Sequence, residues 1–194
     1  LRALNCTVLD MGIIPDEPEA TARALSEAAR TADCIISSGG VSVGEEDHVK
    51  AQVEKLGELM LWKLAIKPGK PLAFGRVGDT PFLGLPGNPS SVFVTFCLVA
   101  RPFIARLQGQ DDAAMPAFAA IADFEVRRPG GRQDYLRVLL HDEGGVLTAK
   151  RFPNQSSGVL SSVSASNALA VIPPGITVTA GDKVEVLLLD VLTG

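Results

Sequence analysis

The fold is decided by one stretch in the first half of the chain, Cys34–Leu56, which reads CIISSGGVSVGEEDHVKAQVEKL. The brief apolar run Cys34–Ser37 ends in two glycines, and the residues that follow Asp47 have helical composition and end at Gly57. A short strand that turns through glycines into a helix is typical of an α/β sheet protein. Ligands of such sheets bind beyond the carboxyl ends of the strands. The sequence therefore predicts a site near the turn at Gly39.

The alternation of strands and helices extends on both sides of this stretch. Cys6–Met11 is a short β-prone run, and Asp16 with Glu19 three residues later resembles a capping box for a helix over about 17–32. Pro89, preceded by the potential cap Asn88, predicts a helix to about residue 107 that is kinked at position 102. Further strands are predicted at 59–66, 71–76 and 81–85. This pattern indicates a parallel or mixed α/β sheet.

The second half of the chain has a different pattern. From Pro116 onward, short alternating segments are separated by Gly, Pro and Asp turns. They lie at 117–127, 134–140, 146–150, 168–172 and 183–191. Such a series predicts a small β-barrel or sandwich. The change in composition places a domain junction between residues 107 and 116.

The bulk composition limits the classes of function. The chain has 194 residues, a formal net charge of −4 and a pI near 5.2, whereas nucleic acids and anionic membranes bind broad basic surfaces. We therefore predict neither as a main partner. Cys6, Cys34 and Cys97 stand singly, without the spacing of a disulfide framework or a zinc site. No secretory signal and no apolar run of roughly 18 residues is recognised, so a cytoplasmic location is expected.

Three segments together predict an anion site. In Ser37–Asp47, glycines and serines at a strand end can form a nest of N–H groups for phosphate, and Asp47 is a candidate ligand of a magnesium ion. Alone, this segment is better explained as a tight turn with a helix cap. Lys67–Pro71 fixes two ammonium groups that suit an oxyanion of charge two, although paired surface lysines often remain merely solvated. Pro86–Ser91 opens a helix whose N–H groups attract anions, but Asn-Pro also starts helices for structural reasons.

Two other charged residues have competing interpretations. Asp16 is either an acid of the site or only the cap of the first helix. Arg132, next to Gly130-Gly131, is either presented at a domain interface or part of an exposed basic edge. The sequence around both residues leaves these alternatives open.

Longer segments of the chain resemble a known family. SSGGVSVGEEDHVK, WKLAIKPGKPLAFG and GLPGNPSSVFVTF resemble the MoeA/gephyrin E-domain family, the molybdopterin molybdenumtransferases, and the likeness runs from about Cys6 to Gly194. The related MogA-type adenylyltransferases and CinA proteins usually have Thr-Gly in place of Val41-Ser42, and lack the other two segments in this form. The resemblance implies a molybdopterin-binding α/β sheet domain over 1–107, truncated before its first strand. A small C-terminal β-barrel domain would follow over 116–194.

The resemblance also implies a reaction. Molybdate is inserted into the dithiolene of adenylylated molybdopterin with loss of AMP, in a step that depends on Mg²⁺. Family members are about twice as long and act as homodimers, so this stretch alone is expected to be inactive. A pterin-adenylylating enzyme would be a partner. Adenylylation of molybdopterin by the chain itself, and a gephyrin-like interaction scaffold, are the alternatives.

Site residues follow from the resemblance position by position. Asp47 would bind Mg²⁺ or phosphate beside Glu45, and Asp16 matches an acid near the same site. Lys67, Lys70 and Pro71 match the molybdate pocket, and the catalytic candidates are Asp47, Asp16, Lys67 and Lys70. Arg132 and Ser156 would approach from the C-terminal domain. The pterin phosphate or nucleotide would be cradled by Ser38, Gly39, Gly40, Ser42, Pro86, Gly87 and Asn88.

Overall fold

The computed structural model describes residues 1–41, 48–111, 113 and 115–189, and of Leu61 and Trp62 only the backbone. Its α-helices are α1 (Pro18–Thr31), α2 (His48–Leu56), α3 (Pro89–Thr95), α4 (Arg101–Leu107) and α5 (Ser161–Ser164), with a 3₁₀ turn at Arg2–Leu4 and a π turn at Phe96–Ala100. The strands are β1 (Ile35–Ser38), β2 (Gly57–Lys63), β3 (Ile66–Lys67), β4 (Pro71–Val77), β5 (Thr80–Leu85), β6 (Ala117–Asp123), β7 (Gln133–Glu143), β8 (Val146–Arg151), β9 (Ala168–Ile172) and β10 (Lys183–Leu188).

The chain divides into two compact units by its internal contacts. The sheet unit comprises Leu1–Leu64 and Gly69–Asn88, and the barrel unit comprises Ala65–Pro68 and Pro89–Gly194. This division falls before α3, whereas the composition changes only after α4.

The sheet unit is built on a four-stranded mixed sheet with the order β1-β5-β4-β2. β1 runs parallel to β5, with Ser38 opposite Leu85, and β4 runs antiparallel to β5, with Ala73 opposite Gly84. The prediction of a parallel or mixed α/β sheet is confirmed. The ends of β1 and β5 and the start of β4 therefore lie at one edge, which we call the carboxyl edge.

Apolar side chains from helices and strands form the core of the sheet unit. Leu25 of α1 and Val53 of α2 pack in one cluster with Ile35, Ala73 and Phe82 of the sheet. Val53, Ala73 and Phe82 are fully buried. Burial of a large apolar side chain stabilises a fold by about 1.5–3 kcal/mol, so the two amphipathic helices and the sheet hold each other in place.

Gly84 is required by the close packing of β5. A Cβ added to Gly84 would overlap the Val41 side chain and would lie 3.0 Å from the Cβ of Ala73. Val41 is 3% exposed and follows the glycine turn at residues 39–40. The absence of a side chain at Gly84 therefore lets the residue after this turn pack against the sheet.

The barrel unit contains a closed five-stranded β-barrel, as the pattern of the second half predicts. Its strands follow the order β7-β8-β6-β10-β9, and pairing of β9 with β7 closes the ring. The interior is filled by alternate side chains, among them Leu136, Val138, Ala149, Ala170 and Val186. β3 extends this sheet by pairing parallel to β7.

Helices cover part of the outer face of the barrel. Tyr135 of β7 and Leu169 and Val171 of β9 pack with Val94 and Cys97 from the helical segment 89–107. Both faces of β9 are therefore buried, and each of its five residues is buried. This packing explains why α3 and α4 belong to the barrel unit.

The segment Pro89–Leu107 is long and apolar enough to cross a membrane, by length and composition alone, with 19 residues and a mean hydropathy of 1.5. The expectation that the sequence holds no such segment is wrong by these two criteria. Its packing accounts for part of the hydropathy, because 44% of its most apolar window is buried inside the structure. Val94, Cys97 and Ile104 are all in the core.

Two predictions near the N-terminus are wrong. Cys6–Met11 is not a strand, and its Leu9 and Met11 are exposed. A β-prone run becomes a strand only where a neighbour accepts its backbone hydrogen bonds. The capping box at Asp16 is also absent, because α1 begins at Pro18 with Glu17 as its N-cap and without a side-chain cap bond. Proline has no N–H to satisfy at the first helical position, so it sets the start of the helix.

The predicted kink at Pro102 takes the form of a change in helix type. Pro102 has no N–H to donate to the carbonyl of Leu98, and its ring crowds that carbonyl. A π turn at Phe96–Ala100 separates α3 from α4, whose first turn contains Pro102. A widened turn of this kind accommodates a missing hydrogen bond within a helix.

We expect Gly84→Ala to lower the free energy of unfolding by about 1–3 kcal/mol, because its methyl group overpacks the contact with Val41. Urea denaturation followed by circular dichroism measures the change. The control is Gly87→Ala, whose added Cβ would make an ordinary contact of 3.7 Å with the Cα of Gly39. This control is expected to change the free energy by no more than about 0.5 kcal/mol. Equal losses in the two variants would contradict the role assigned to Gly84.

Candidate functional site

The predicted site residues divide between the two units. The sheet unit holds Asp16, Ser38, Gly39, Gly40, Lys70, Pro71, Pro86, Gly87 and Asn88, and the barrel unit holds Lys67, Arg132 and Ser156. Ser42, Glu45 and Asp47 lie outside the described residues. The two groups of described residues form separate local structures.

Two glycine turns meet at the carboxyl edge. Gly39 and Gly40 follow β1 with φ values of 80° and 69°, a left-handed conformation that glycine adopts without strain. Gly39 N–H donates to the carbonyl of Leu85 at 3.0 Å, so this N–H extends the ladder between β1 and β5. Gly87 lies beside Gly39, as the 3.7 Å distance from its added Cβ to the Gly39 Cα indicates. The first and third predicted segments therefore lie against each other.

Lys70 and Pro71 reach the same edge because β4 begins there. Ala73 is opposite Gly84, so continuing the antiparallel register by two residues places Pro71 opposite Pro86. Lys70 precedes Pro71, is exposed, and accepts a hydrogen bond at its carbonyl from Leu64 N–H at 2.8 Å. The carboxyl edge therefore combines two glycine turns with an exposed ammonium group, an arrangement suited to an anion.

Asp16 lies outside this framework of strand ends. It is exposed and stands two residues before the start of α1. The capping bond that its spacing suggests is absent, because Glu17 is the N-cap, and the role of Asp16 in a site remains a prediction.

In the barrel unit, the segment that contains Lys67 is fixed by β7. Lys67 Nζ donates to Asp134 Oδ2 at 3.0 Å, and Ile66 and Lys67 pair with Gln133 and Asp134. Arg132 Nη1 donates to the carbonyl of Ile66 at 3.0 Å. Lys67 and Arg132 thus both contact the short strand β3 or belong to it, and Asp134 pairs with Lys67.

Ser156 belongs to a turn that is held by buried hydrogen bonds. We call residues 156–159 the serine turn. Ser90 N–H donates to the carbonyl of Ser157 at 3.1 Å, and Ser90 Oγ donates to the carbonyl of Val159 at 2.9 Å. Ser156 itself is exposed. The first turn of α3 therefore fixes the turn that presents Ser156.

Sequence reasoning missed the residues beneath the serine turn. Arg137 is 1% exposed, and its Nε donates to Ser162 Oγ at 3.1 Å. Arg137 lies on the same face of β7 as Tyr135, and the helical segment 89–107 packs against that face. The signal was available in β9, because the unbroken apolar run ALAVI indicates a strand that is buried on both faces. Arg137 is directly opposite Leu169 of that run.

Within the described ranges, no group of three or more His, Cys, Asp or Glu residues could hold a metal ion. The Mg²⁺ ligands implied by the resemblance, Asp47 and Glu45, fall in the undescribed range 42–47. A magnesium site therefore remains a prediction.

The thiols of Cys34 and Cys97 have weak nucleophilic character. Burial raises the pKa of Cys34 to about 11 and that of Cys97 to about 12, although Arg101 acts in the opposite direction on Cys97. A thiol binds metals and attacks electrophiles as the thiolate. Cys34 and Cys97 are therefore protonated at neutral pH.

Two family models match the chain, and each covers one part of this architecture. "Probable molybdopterin binding domain" matches residues 1–106, and "MoeA C-terminal region (domain IV)" matches residues 119–189. The two ranges correspond to the mixed α/β part and to the barrel strands. The architecture is that of a molybdopterin-binding protein with a MoeA-type barrel.

Curated relatives and solved structures agree with these matches. A molybdopterin molybdenumtransferase from Haemophilus influenzae is 41% identical over 96% of this chain and 47% of its own length. One from Nostoc is 37% identical over 93% of this chain and 43% of its own length. The MoeA protein of Pyrococcus horikoshii superposes with a TM-score of 0.73 at 28% identity, over 92% of this chain and 42% of its own. The chain thus belongs to the MoeA family, and it spans less than half the length of these relatives.

We expect Cys34 to react with iodoacetamide at pH 8 about a hundredfold more slowly in the folded chain than in urea, because a pKa near 11 leaves little thiolate. Its rate should rise as the pH approaches 11. Mass spectrometry of timed samples measures both effects. Alkylation of Cys34 at equal rates in the folded and the unfolded chain would contradict the raised pKa.

Proposed function

We propose that this chain carries the substrate site of a molybdopterin molybdenumtransferase, which inserts molybdate into adenylylated molybdopterin and releases AMP. One observation carries this proposal: the carboxyl edge of the sheet unit combines the glycine turns at residues 39 and 87 with Lys70. The names of the curated relatives support the same reaction.

The carboxyl edge supplies complementary chemistry for the two substrates. The glycine turns at Gly39 and Gly87 leave room for the backbone to approach the phosphate of the pterin. Lys70 offers charge-assisted hydrogen bonds to an oxo-dianion, which recognise molybdate without His or Cys ligands. The dithiolene sulfurs of the substrate receive the molybdenum, so the protonated state of Cys34 and Cys97 is compatible with the reaction.

The family resemblance assigns Lys67, Arg132 and Ser156 of the barrel unit to molybdate binding. Lys67 and Arg132 are neighbouring cations on that unit, and Ser156 is exposed on the serine turn. Asp134 holds Lys67 in the absence of an anion. Because the Lys67–Asp134 pair is partly exposed, it contributes no more than about 1 kcal/mol to stability, and Lys67 is free to exchange Asp134 for a dianion.

The remaining roles follow from the family resemblance. Mg²⁺ held at Asp47 beside Glu45 would neutralise the phosphoanhydride whose cleavage drives insertion, and Asp16 is assigned to the same region. The active protein is a homodimer that receives its adenylylated pterin from a partner enzyme. The cytoplasm is assigned as its location, because the three cysteines stand singly in the sequence, without the spacing of a disulfide framework.

The chain contains both of the matched family regions, so a hybrid protein tests the proposal. In this hybrid, the chain replaces the matching 47% of the Haemophilus influenzae relative. We expect the hybrid to release AMP from adenylylated molybdopterin only when molybdate is added, and the 194 residues alone to release none. Chromatography of AMP measures both.

Other outcomes of this experiment contradict the proposal. ATP consumption with molybdopterin in the absence of molybdate would indicate an adenylyltransferase. Absence of AMP release, with peptide binding that survives Lys70→Ala, would indicate a scaffold.

The charges at the site predict changes of opposite sign in the molybdate concentration that gives the half-maximal rate. In the hybrid, Lys70→Ala and Lys67→Ala should each raise the molybdate concentration for half-maximal rate by about 10- to 150-fold, since a charge-assisted contact contributes about 1.5–3 kcal/mol. Asp134→Asn should lower that concentration, because it removes the carboxylate that competes with molybdate for Lys67. Initial rates over a molybdate series measure these changes.

The controls for this series are Lys55→Ala and Asp79→Asn, which remove exposed charges from α2 and from the turn before β5. Both should leave the half-saturating concentration unchanged. Equal effects of the control and site variants would show that overall charge, rather than the site, governs molybdate use.

A further inference from the structure

The barrel unit buries a complete guanidinium group beneath the serine turn. Arg137 is the largest of the fully buried side chains in the described ranges. Its Nε donates to Ser162 Oγ at 3.1 Å, and its Nη2 donates to the carbonyl of Ser156 at 3.2 Å. At 1% exposure, Arg137 cannot touch a substrate that binds at the surface.

The charge of Arg137 is not neutralised by a close partner. Across the described part of the chain, no carboxylate forms an ion pair with it within 4.0 Å. Burial lowers the pKa of Arg137, while the more distant Asp134 acts in the opposite direction. A buried cation that only neutral groups contact is costly to the fold. A nearby bound anion would offset that cost.

The hydrogen bonds of Arg137 continue into α3. Ser162 Oγ accepts from Arg137 and donates to the carbonyl of Val159 at 2.6 Å, and the same carbonyl accepts from Ser90 Oγ at 2.9 Å. Gln155 braces the start of the serine turn, because its side chain bonds both the N–H and the carbonyl of Arg137. The serine turn is therefore held from below by Arg137 and from the side by Ser90.

We propose that Arg137 is a positioning residue of the anion site: it fixes the serine turn against the first turn of α3, and its uncompensated charge favours an oxyanion bound at Ser156. This assignment rests on the proposed function, in which Ser156 contributes to the binding of molybdate. Its distinctive consequence is that the loss of Arg137 changes two separate quantities, the order of the serine turn and the affinity for molybdate.

The Ser90 amide reports on the order of the turn, because its N–H donates to the carbonyl of Ser157. Amide hydrogen exchange of the 194-residue chain is measured by NMR for the wild type, Arg137→Gln, Arg137→Lys and Ser162→Ala. We expect Arg137→Gln to accelerate exchange at Ser90 by about tenfold or more. Val186→Ala is the control, since it weakens the barrel interior without removing a hydrogen bond of the serine turn. It should not accelerate Ser90 relative to the other amides of the barrel unit.

The affinity for molybdate is measured in the hybrid protein described above. Arg137→Gln should raise the half-saturating molybdate concentration by about tenfold with a smaller change in kcat, and Arg137→Lys should restore part of the loss because it keeps the charge. Ser162→Ala keeps the guanidinium and should affect exchange at Ser90 more than molybdate use.

The outcomes separate this inference from the proposed function. If Arg137→Gln resembles Val186→Ala in both measurements, Arg137 contributes only to stability and the inference is overturned. The proposed function would still stand if the wild-type hybrid releases AMP. If Arg137→Gln accelerates Ser90 exchange without changing molybdate use, the link to the anion site is overturned. If the wild-type hybrid releases no AMP, the anion assignment and the proposed function both fail.

Discussion

The arrangement of the sheet unit depends on how β5 pairs with the strands on both of its sides. β5 pairs parallel with β1 and antiparallel with β4, so its carboxyl end meets the end of one strand and the start of the other. Gly84 permits this arrangement, because any side chain there would collide with Val41 behind the glycine turn. Three segments that are up to 50 residues apart in the sequence share one edge for this reason. The chemistry of the edge is thus a consequence of strand pairing.

Much of the fold was predictable because its signals are local. Strand–glycine–helix patterns and alternating segments gave the mixed sheet and the barrel. The failures are at positions where a long-range partner or a competing residue decides the outcome. Cys6–Met11 has the composition of a strand but does not form one, because strand pairing also requires a second segment. Asp16 has the spacing of a cap, but Pro18 fixes the start of α1 one residue later than that cap requires.

The candidate site was predictable where it consists of backbone turns and exposed cations, since glycine and lysine residues in the sequence indicate those features directly. The supporting residues were not. The burial of Arg137 depends on which face of β7 is covered, and the cover is supplied by α3, about 45 residues earlier in the chain. The pairing of Lys67 with Asp134 likewise follows from the two-residue strand β3, which is too short to leave a periodic signal.

Lys67 and Lys70 form one motif in the sequence, yet separate sheets determine their positions. Lys67 is held by β7 through the pairing of β3, whereas Lys70 directly precedes β4 and is held by the register of that strand. Between them, Gly69 adopts a φ of 115°, which an L-residue rarely tolerates. The motif therefore needs glycine at position 69, between its two lysines. Lys67 and Lys70 are thus positioned by different strand pairings, although only two residues separate them in the sequence.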